Sequence, residues 1–462
     1  EEKPKPSVPL ELFWELAAVD SSAREAAAQS LVRNVVEAQA KQTDETMCGD
    51  LDYTLRRLVR GLASSRQGAR QGFSVALSEL LRLSPVIDLA DVIKLITETL
   101  EATGSSTGQE EKDFLFGRLF AYLAVIRSER LRSNIEAADD IVRDLLMMMH
   151  KKTYLAEASC VAVVEIIEQA PAKNRAELSR LVSELGSHHG TSTLSPEGLA
   201  LRLRLQSEKC EETVLSLLTA ENVATAVEPL KASTSAHPRM HMVWDALLQP
   251  VLVPESKKGR GISDKHFKAV RCLWDTVVEG ALFSSSDERK YLAFQLFRRL
   301  MPALGPMQLP MLFTANMRRC FTNHLSNPEN KLNQCAHQVL DDMLSLSKSD
   351  SSVAVAILCQ LLREPNFDKI SRTTAVSTLL SGLDEEGHAR YLAFLFELFA
   401  KPVERAAGST ATATSVQQQQ QQKWAADSAV AVVARHRAQL HPRSLSLFLA
   451  WLVNLAFFDK SV

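Results

Sequence analysis

Strict apolar–polar alternation over six or more residues is hard to find anywhere in this 462-residue chain. That argues against half-buried β-strands. Cysteine is sparse and unpaired: Cys48, Cys160, Cys210, Cys272, Cys320, Cys335 and Cys359 are seven, scattered, with no C-x-x-C spacing. The pattern argues against a disulfide frame or thiolate metal site and for a reducing compartment. No uncharged apolar run reaches the roughly 18 residues that a membrane span needs. The nearest stretch, residues 445–458, is too short and reads as a buried helix. There is no secretory signal segment, and Glu1 stands where a start Met is expected, so residues are expected to precede it. Neither charge sign dominates: 53 Lys and Arg face 55 Asp and Glu, a net charge of −2. A generic nucleic-acid binder is thereby excluded, and any such activity must come from a local patch. Phosphate-cradling loops are missing too. The "GRG" at Gly259–Gly261 lacks a third glycine and follows no strand, and neither G-x-x-x-x-G-K nor G-x-S-x-G occurs.

What is present is helical periodicity. Phe13, Leu16 and Ala17 open a first helix; Leu31, Val32, Val35 and Val36 form the stripe of a second, with Ser22 and Glu25 as its capping box. Leu51, Leu55, Leu58, Val59 and Leu62 mark a third, and Phe73, Leu77, Leu80 and Leu81 its partner. The rhythm continues to the C-terminal end, with Ser195-Pro196 and Asn327-Pro328 as helix starts and Ser285–Glu288 as a second capping box. Hydrophobic residues are 46% of the chain, enough for a large core, and the length argues against one compact core. The expected fold is all-α, a HEAT- or armadillo-like α-solenoid of about twenty amphipathic helices. Irregular helical bundles are the alternative. The expected organisation is a helical-repeat region over 1–253, a flexible loop at 254–263, and a second helical-repeat region over 264–462 with a Gly/Ser/Thr/Gln-rich insertion at 408–423. Residues 186–196 read as a further flexible insertion. The glutamine run is able instead to extend the helix that holds Trp424.

Two arrangements have metal-like spacing. His237, His241 and Asp245 fall at i, i+4 and i+8. The plainer reading puts His237 before a helix begun by Pro238, with His241 half-buried beside Trp244. Cys320, His324, Cys335 and His337 form the second set, and cysteines on apolar stripes are usually core. No metal or cofactor is expected. The acidic pairs Asp50/Asp52, Asp139/Asp140 and Asp341/Asp342 read as helix caps favoured by the macrodipole.

Basic residues are the remaining signal. Between Tyr53 and Arg82 six arginines stand against one acid, Glu79. Arg56, Arg57 and Arg60 cluster on one helix flank, and Arg66 and Arg70 stand at i and i+4 where the next helix begins. Cations at a helix start oppose its dipole, so another demand is expected to have placed them. Gly68 and Gly72 either admit a ligand or pack the helix pair closely. Further basic pairs are Arg289-Lys290, Arg298-Arg299 and Arg318-Arg319, together with Lys257, Lys258 and Arg260. The alternative for all of them is a solvated helix face.

"DYTLRRLVRGLASSRQGARQGFSVALSELL" (52–81) resembles the early segment of the Myb-binding protein 1A family, also called DNA polymerase phi or DNA polymerase V. "FLFGRLFAYLAVIRSERL", "HPRMHMVWDALL", "SSDERKYLAFQLFRRLM", "CFTNHLSNPENKLNQCAHQVL" and "WLVNLAFF" resemble further boxes of that family, in the same order. Two departures stand out. Ala293-Phe294 replaces the family's Gly-Phe. The fifth box has Glu329, Asn330, Leu332, Asn333 and Gln334 where the family carries more cations. Family members are longer, so the chain resembles the N-terminal solenoid portion. The resemblance implies a nonenzymatic nucleolar scaffold of ribosome production. Its expected partners are pre-ribosomal particles (pre-rRNA and assembly factors), with transcription factors or rDNA chromatin as further candidates, and no membrane and no small-molecule substrate. The second function is a transcription co-regulator, and the third is the polymerase of the family name.

Overall fold

The computed structural model describes residues 8–42, 46–102, 106–188, 195–205, 209–236, 239–255, 259–364, 366–400, 411–436, 440 and 442–457. Among these residues there are 23 α-helices and no β-strand, so the fold is all-α. The chain divides into two compact units, residues 1–210 and 211–462.

The first unit holds α1 (Glu11–Glu15), α2 (Ser21–Ala40), α3 (Gly49–Gly61), α4 (Gln67–Leu83), α5 (Leu89–Thr99), α6 (Gly108–Arg127), α7 (Ile135–Lys151), α8 (Thr153–Gln169), α9 (Ala172–His188) and α10 (Pro196–Leu205). Helices α2, α4, α6, α8 and α10 pack in succession as one row, and α3, α5, α7 and α9 as another. The hairpins α3–α4 and α7–α8 join the rows. Fully buried leucines such as Leu31, Leu51, Leu58, Leu77 and Leu145 lie in the interface, each worth about 1.5–3 kcal/mol of burial.

Three glycines set how closely α4 and α6 approach their neighbours. A Cβ on Gly72 would fall 2.0 Å from the Leu16 carbonyl oxygen, and one on Gly117 would fall 2.9 Å from that of Leu62. A Cβ on Gly61 would enter the Phe73 ring, at 2.5 Å. The α1–α2 corner is tied by Arg24, whose Nη1 donates to the Ala18 and Val19 carbonyls at 2.9 and 2.7 Å.

Some helix starts differ from the expected ones by a residue or more, while the start at Ser195-Pro196 is where it was expected. Asp20 caps α2 by accepting from the Ala23 N–H at 2.8 Å, so the pair Ser22–Glu25 lies inside the helix. A capping box does close on α6, where Thr107 and Glu110 bond reciprocally. Ser195 caps α10, accepting from the Gly198 N–H at 2.9 Å.

The second unit holds α11 (Cys210–Leu217, whose first residue belongs to the first unit), α12 (Val227–Ala232), α13 (Met242–Leu248), α14 (Asp264–Leu273), a π-helix over Trp274–Leu282, then α15 (Asp287–Leu300), α16 (Ala315–Ser326) and α17 (Asn333–Ser347). After these come α18 (Ser351–Leu361), α19 (Phe367–Ser371), α20 (Ala375–Ser381), α21 (Glu385–Ala400), α22 (Ala411–His436) and α23 (Pro442–Phe457). Its core is aromatic: Trp274 and Phe283 meet edge-on at 6.2 Å, Phe283 and Phe294 at 5.2 Å, and Phe297 and Phe313 at 5.4 Å. Ser286 rather than Ser285 is the N-cap of α15. Asn327-Pro328 opens a turn after α16 rather than a helix.

Residues 254–263 have pinned ends. Pro254 bridges Ile262, and the Gln308 side chain accepts from the Ile262 N–H at 3.1 Å while donating to its carbonyl at 2.7 Å. Residues 411–423 of the low-complexity insertion belong to α22; residues 408–410 and 189–194 lie outside the described residues. α23 is not a buried helix, because Leu447 and Leu449 are exposed while Phe448 is buried.

Candidate basic interface

The five arginines of the α3–α4 hairpin divide into two sets. Arg56 is exposed on α3, with Nε 2.9 Å from Asp52 Oδ1, a pair mostly in solvent. Such pairs contribute little. Arg60, in the last turn of α3, and Arg66, at the N-cap of α4, are exposed, and no acid pairs with either among the described residues. Arg66 has no side-chain capping bond and so adds an uncompensated cation to a helix start. Arg57 is half-buried: its guanidinium sits 4.8 Å from the Phe13 ring centroid, and Nη1 donates to the Tyr53 hydroxyl at 2.9 Å.

Arg70 is turned inward and is 8% exposed. It donates to the Ser64 carbonyl at 2.5 Å, lies 3.5 Å from Asp113 on α6, and stands over Phe116 at 5.1 Å. Arg66 and Arg70 therefore do not share an outward face. Gly72 likewise serves packing, as its approach to Leu16 requires, and Gly68 meets Arg24 Nη1 at 3.4 Å.

In the second unit most of the basic pairs bind their own chain. Arg298 Nε contacts Asp342 on α17 at 2.5 Å, and Arg299 Nη2 contacts Asp245 on α13 at 2.5 Å. Arg318 Nη1 donates to the Phe313 carbonyl at 2.6 Å, and burial lowers its pKa. Arg289 donates to Ser285 Oγ at 2.8 Å, and Lys290 is 3.4 Å from Asp287. Arg319 is exposed and donates to Asn316 Oδ1 at 2.9 Å. Arg260 reaches Ser349, whereas Lys257 and Lys258 lie outside the described residues.

Most of the described residues of the metal-like spacings have other partners. His237 lies outside the described residues; His241 is fully buried as the N-cap of α13, Nδ1 accepting from the Val243 N–H at 3.1 Å. Because α13 begins only at Met242, His241 precedes the helix that carries Asp245, and Asp245 is held by Arg299. Cys320 donates to the Phe283 carbonyl at 3.6 Å, and burial pushes the Cys335 thiol up to about 11. Burial also lowers the pKa of His324. Among the described residues no three metal-capable side chains come together.

None of the acidic pairs occupies an N-cap position, although Asp50 and Asp52 stand at a helix start where the macrodipole favours them. Asp50 and Asp52 lie in the first turn of α3, behind Cys48 at the N-cap. Asp139, Asp140, Asp341 and Asp342 lie within α7 and α17, and Asp139 accepts from Arg143 at 2.8 Å.

Several polar contacts that hold these helices have no direct signature in the residue pattern. Arg118 donates to the Thr97 carbonyl at 3.2 Å and lies 3.4 Å from Asp144, which also accepts from the Tyr122 hydroxyl at 2.5 Å. Glu279, carried by the π-helix, accepts from Thr314 Oγ1 at 2.5 Å and from the Asn316 and Met317 N–H groups at 2.7 and 3.2 Å. It thereby caps α16 from another element. Arg118 and Gly117 lie in the quoted "FGRLF" box, so the family resemblance was the available signal.

Comparison with known proteins gives distant but extensive matches. The chain is 27% identical over 456 residues to the rDNA transcriptional regulator pol5 of Schizosaccharomyces pombe, covering 93% of this chain and 45% of that protein. It is 25% identical to a Myb-binding protein 1A-like protein of Danio rerio, covering 85% and 30% respectively. It is 23% identical to the rDNA transcriptional regulator POL5 of Saccharomyces cerevisiae, covering 98% and 50%. The chain thus spans half or less of the length of these curated relatives. Residues 53–462 match the sequence model described as DNA polymerase phi, and the chain belongs to that family.

Proposed function

We propose that the chain is a nonenzymatic α-solenoid scaffold of the nucleolus, acting in rDNA transcription and pre-ribosome assembly. The observation that carries this reading is its similarity over more than nine-tenths of its length to two proteins named rDNA transcriptional regulators. The two rows of successively packed helices in the first unit support the solenoid architecture. The organisation into repeat regions on either side of residues 254–263 belongs to the same proposal. In it, the exposed cations Arg56, Arg60 and Arg66 contact pre-rRNA phosphates or an acidic assembly factor, with Arg319 and Arg289 as secondary contacts. Arginine suits both partners because its planar fork makes paired bonds to phosphate or carboxylate. Arg57, Arg70, Lys290, Arg298, Arg299 and Arg318 act in this reading by holding the helices that present the others.

The polymerase of the family name has little support. Two-metal phosphoryl transfer needs a matched acidic site, whereas Asp50 and Asp52 share one helix turn and Asp52 is paired to Arg56. A second reading, a transcription co-regulator that binds transcription-factor segments, is favoured by the relatives named Myb-binding protein 1A.

The test is ultraviolet crosslinking in cells, with sequencing of attached RNA and mapping of crosslinked peptides. Pre-rRNA reads with peptides spanning residues 56–66 are expected. An empty RNA library with ribosomal assembly factors still co-purifying would move the cationic face to protein binding. Loss of assembly factors with transcription factors retained would favour the co-regulator.

A further inference from the structure

The second unit contains a concave site remote in sequence from the basic hairpin, and the family matches assign it nothing. It lies among α19, α20, α21 and α22 and has a volume of about 530 Å³, inside the roughly 300–1,000 Å³ range of concave ligand sites. Leu362, Val376, Leu380 and Val432 supply aliphatic walls, with Trp424 beside them. Phe367 and Tyr391 are almost fully buried, so they back the groove instead of offering ring faces for bases to stack on.

Among the described residues two charged ones line the groove, and they are not equivalent. The Asp368 carboxylate accepts from the Val376 and Ser377 N–H groups at 2.9 and 3.1 Å and from Ser377 Oγ at 3.1 Å, which commits it to the start of α20. Lys369 is exposed, and no carboxylate lies within ion-pair distance of it among the described residues. Among the described residues the groove therefore offers aliphatic walls and, at its edge, one cation without an ion-pair partner.

We infer that this groove docks an amphipathic helix of a partner protein, with aliphatic side chains on its inner face and a carboxylate flanking them to meet Lys369. Helix-in-groove recognition needs this combination: an apolar trough for residues at i, i+3, i+4 and i+7, and a charged rim that fixes orientation. The inference goes beyond the proposed scaffold role and does not depend on RNA contact at the α3–α4 hairpin.

The experiment uses the full chain and a fluorescein-labelled helix-forming peptide of about fourteen residues, with Leu and Phe at the inner positions and Glu on the flanks. Fluorescence anisotropy is expected to rise saturably. Lys369→Glu is expected to weaken binding about fivefold, the scale of one rim charge pair, with circular dichroism and melting unchanged. Leu380→Glu on the wall is expected to weaken it more than about tenfold. A peptide with the same apolar face and Lys flanks is expected to bind less tightly than the Glu-flanked one, and oligouridylate is expected not to compete. Absence of saturable binding, equal binding of the Lys-flanked peptide, indifference to Lys369→Glu, or displacement by oligouridylate would each overturn the inference. Displacement by oligouridylate would reassign the groove to single-stranded RNA.

Discussion

Gly72→Ala tests the packing that presents the basic hairpin. The new Cβ would lie 2.0 Å from the Leu16 carbonyl oxygen and 3.2 Å from Arg24 Cδ. A backbone oxygen has no rotamer to change, so α4 must retreat from the α1–α2 corner by roughly an ångström. Overpacking of that kind costs about 1–3 kcal/mol, and this contact is at the severe end. Alanine returns up to about 1 kcal/mol of helix propensity in the interior of α4. The net destabilisation is about 2 kcal/mol, which lowers the melting temperature of a unit of this size by roughly 4–8 °C. Gly68→Ala is the matched control one turn earlier. Its Cβ would meet only Arg24 Nη1, at 3.4 Å, and more distant atoms, so the propensity gain of up to about 1 kcal/mol survives. Calorimetry of the full chain, with amide exchange locating the weakened region in α1–α4, should therefore give opposite signs for the two variants. A Gly72→Ala protein that melts at or above the parent temperature refutes the close-approach argument.

The same geometry carries four further outcomes. Glu279→Gln should accelerate amide exchange at Asn316 and Met317 and lower stability by about 1–3 kcal/mol, because two capped N–H groups are deprived of a charged acceptor; unchanged exchange there would contradict the capping role. Arg70→Met should lower stability without changing the salt dependence of the proposed pre-rRNA binding. Joint reversal of Arg56, Arg60 and Arg66 to Glu should leave melting near the parent value and reduce the salt slope by about 0.7–0.9 for each phosphate that these arginines neutralise. Burial lowers the His324 pKa from its ordinary 6.5, so the unfolded chain binds its proton first as pH falls. Stability should then decline below about pH 6.5, and His324→Phe should flatten that decline in melting curves between about pH 7.5 and 5.

The helices were legible because apolar spacing is a local property: Leu51, Leu55, Leu58, Val59 and Leu62 are all buried where their period puts them. Helix ends were less legible. Asp20 and Ser22 are both acceptable caps in sequence; the structure uses Asp20, next to a turn that Arg24 holds through Ala18 and Val19. Two acids have roles that no sequence window reveals: Asp342, of an acidic pair, and Asp245, of a metal-like set, have partners more than forty residues away, Arg298 and Arg299. The π-helix was invisible, since Trp274–Leu282 has the composition of any buried helix. Its use appears only when Glu279 is seen at the start of α16.

Arginine density along a helix pair proved to be a poor measure of available charge. Arg70 and Arg118 each approach an acid on a neighbouring helix, Asp113 and Asp144, and each also donates to a backbone carbonyl, of Ser64 and Thr97. Within the helix array their planar forks therefore join side-chain and main-chain acceptors across helix boundaries, a geometry that lysine's single ammonium does not reproduce as well. Such cations contribute little external field, because their counter-charges lie within a few ångströms and move with them. In the proposed interface the exposed cations without an acidic partner among the described residues are Arg60 and Arg66, which share their helices with the inward-turned Arg57 and Arg70. Moving α4 at Gly72 or Arg70 would displace Arg66 with it, so packing variants should alter binding through geometry while the surface reversals alter it through charge. Salt dependence separates the two routes. Neutralising fewer phosphates reduces the slope, whereas a displaced but still cationic surface lowers affinity through a misplaced set of the same charges.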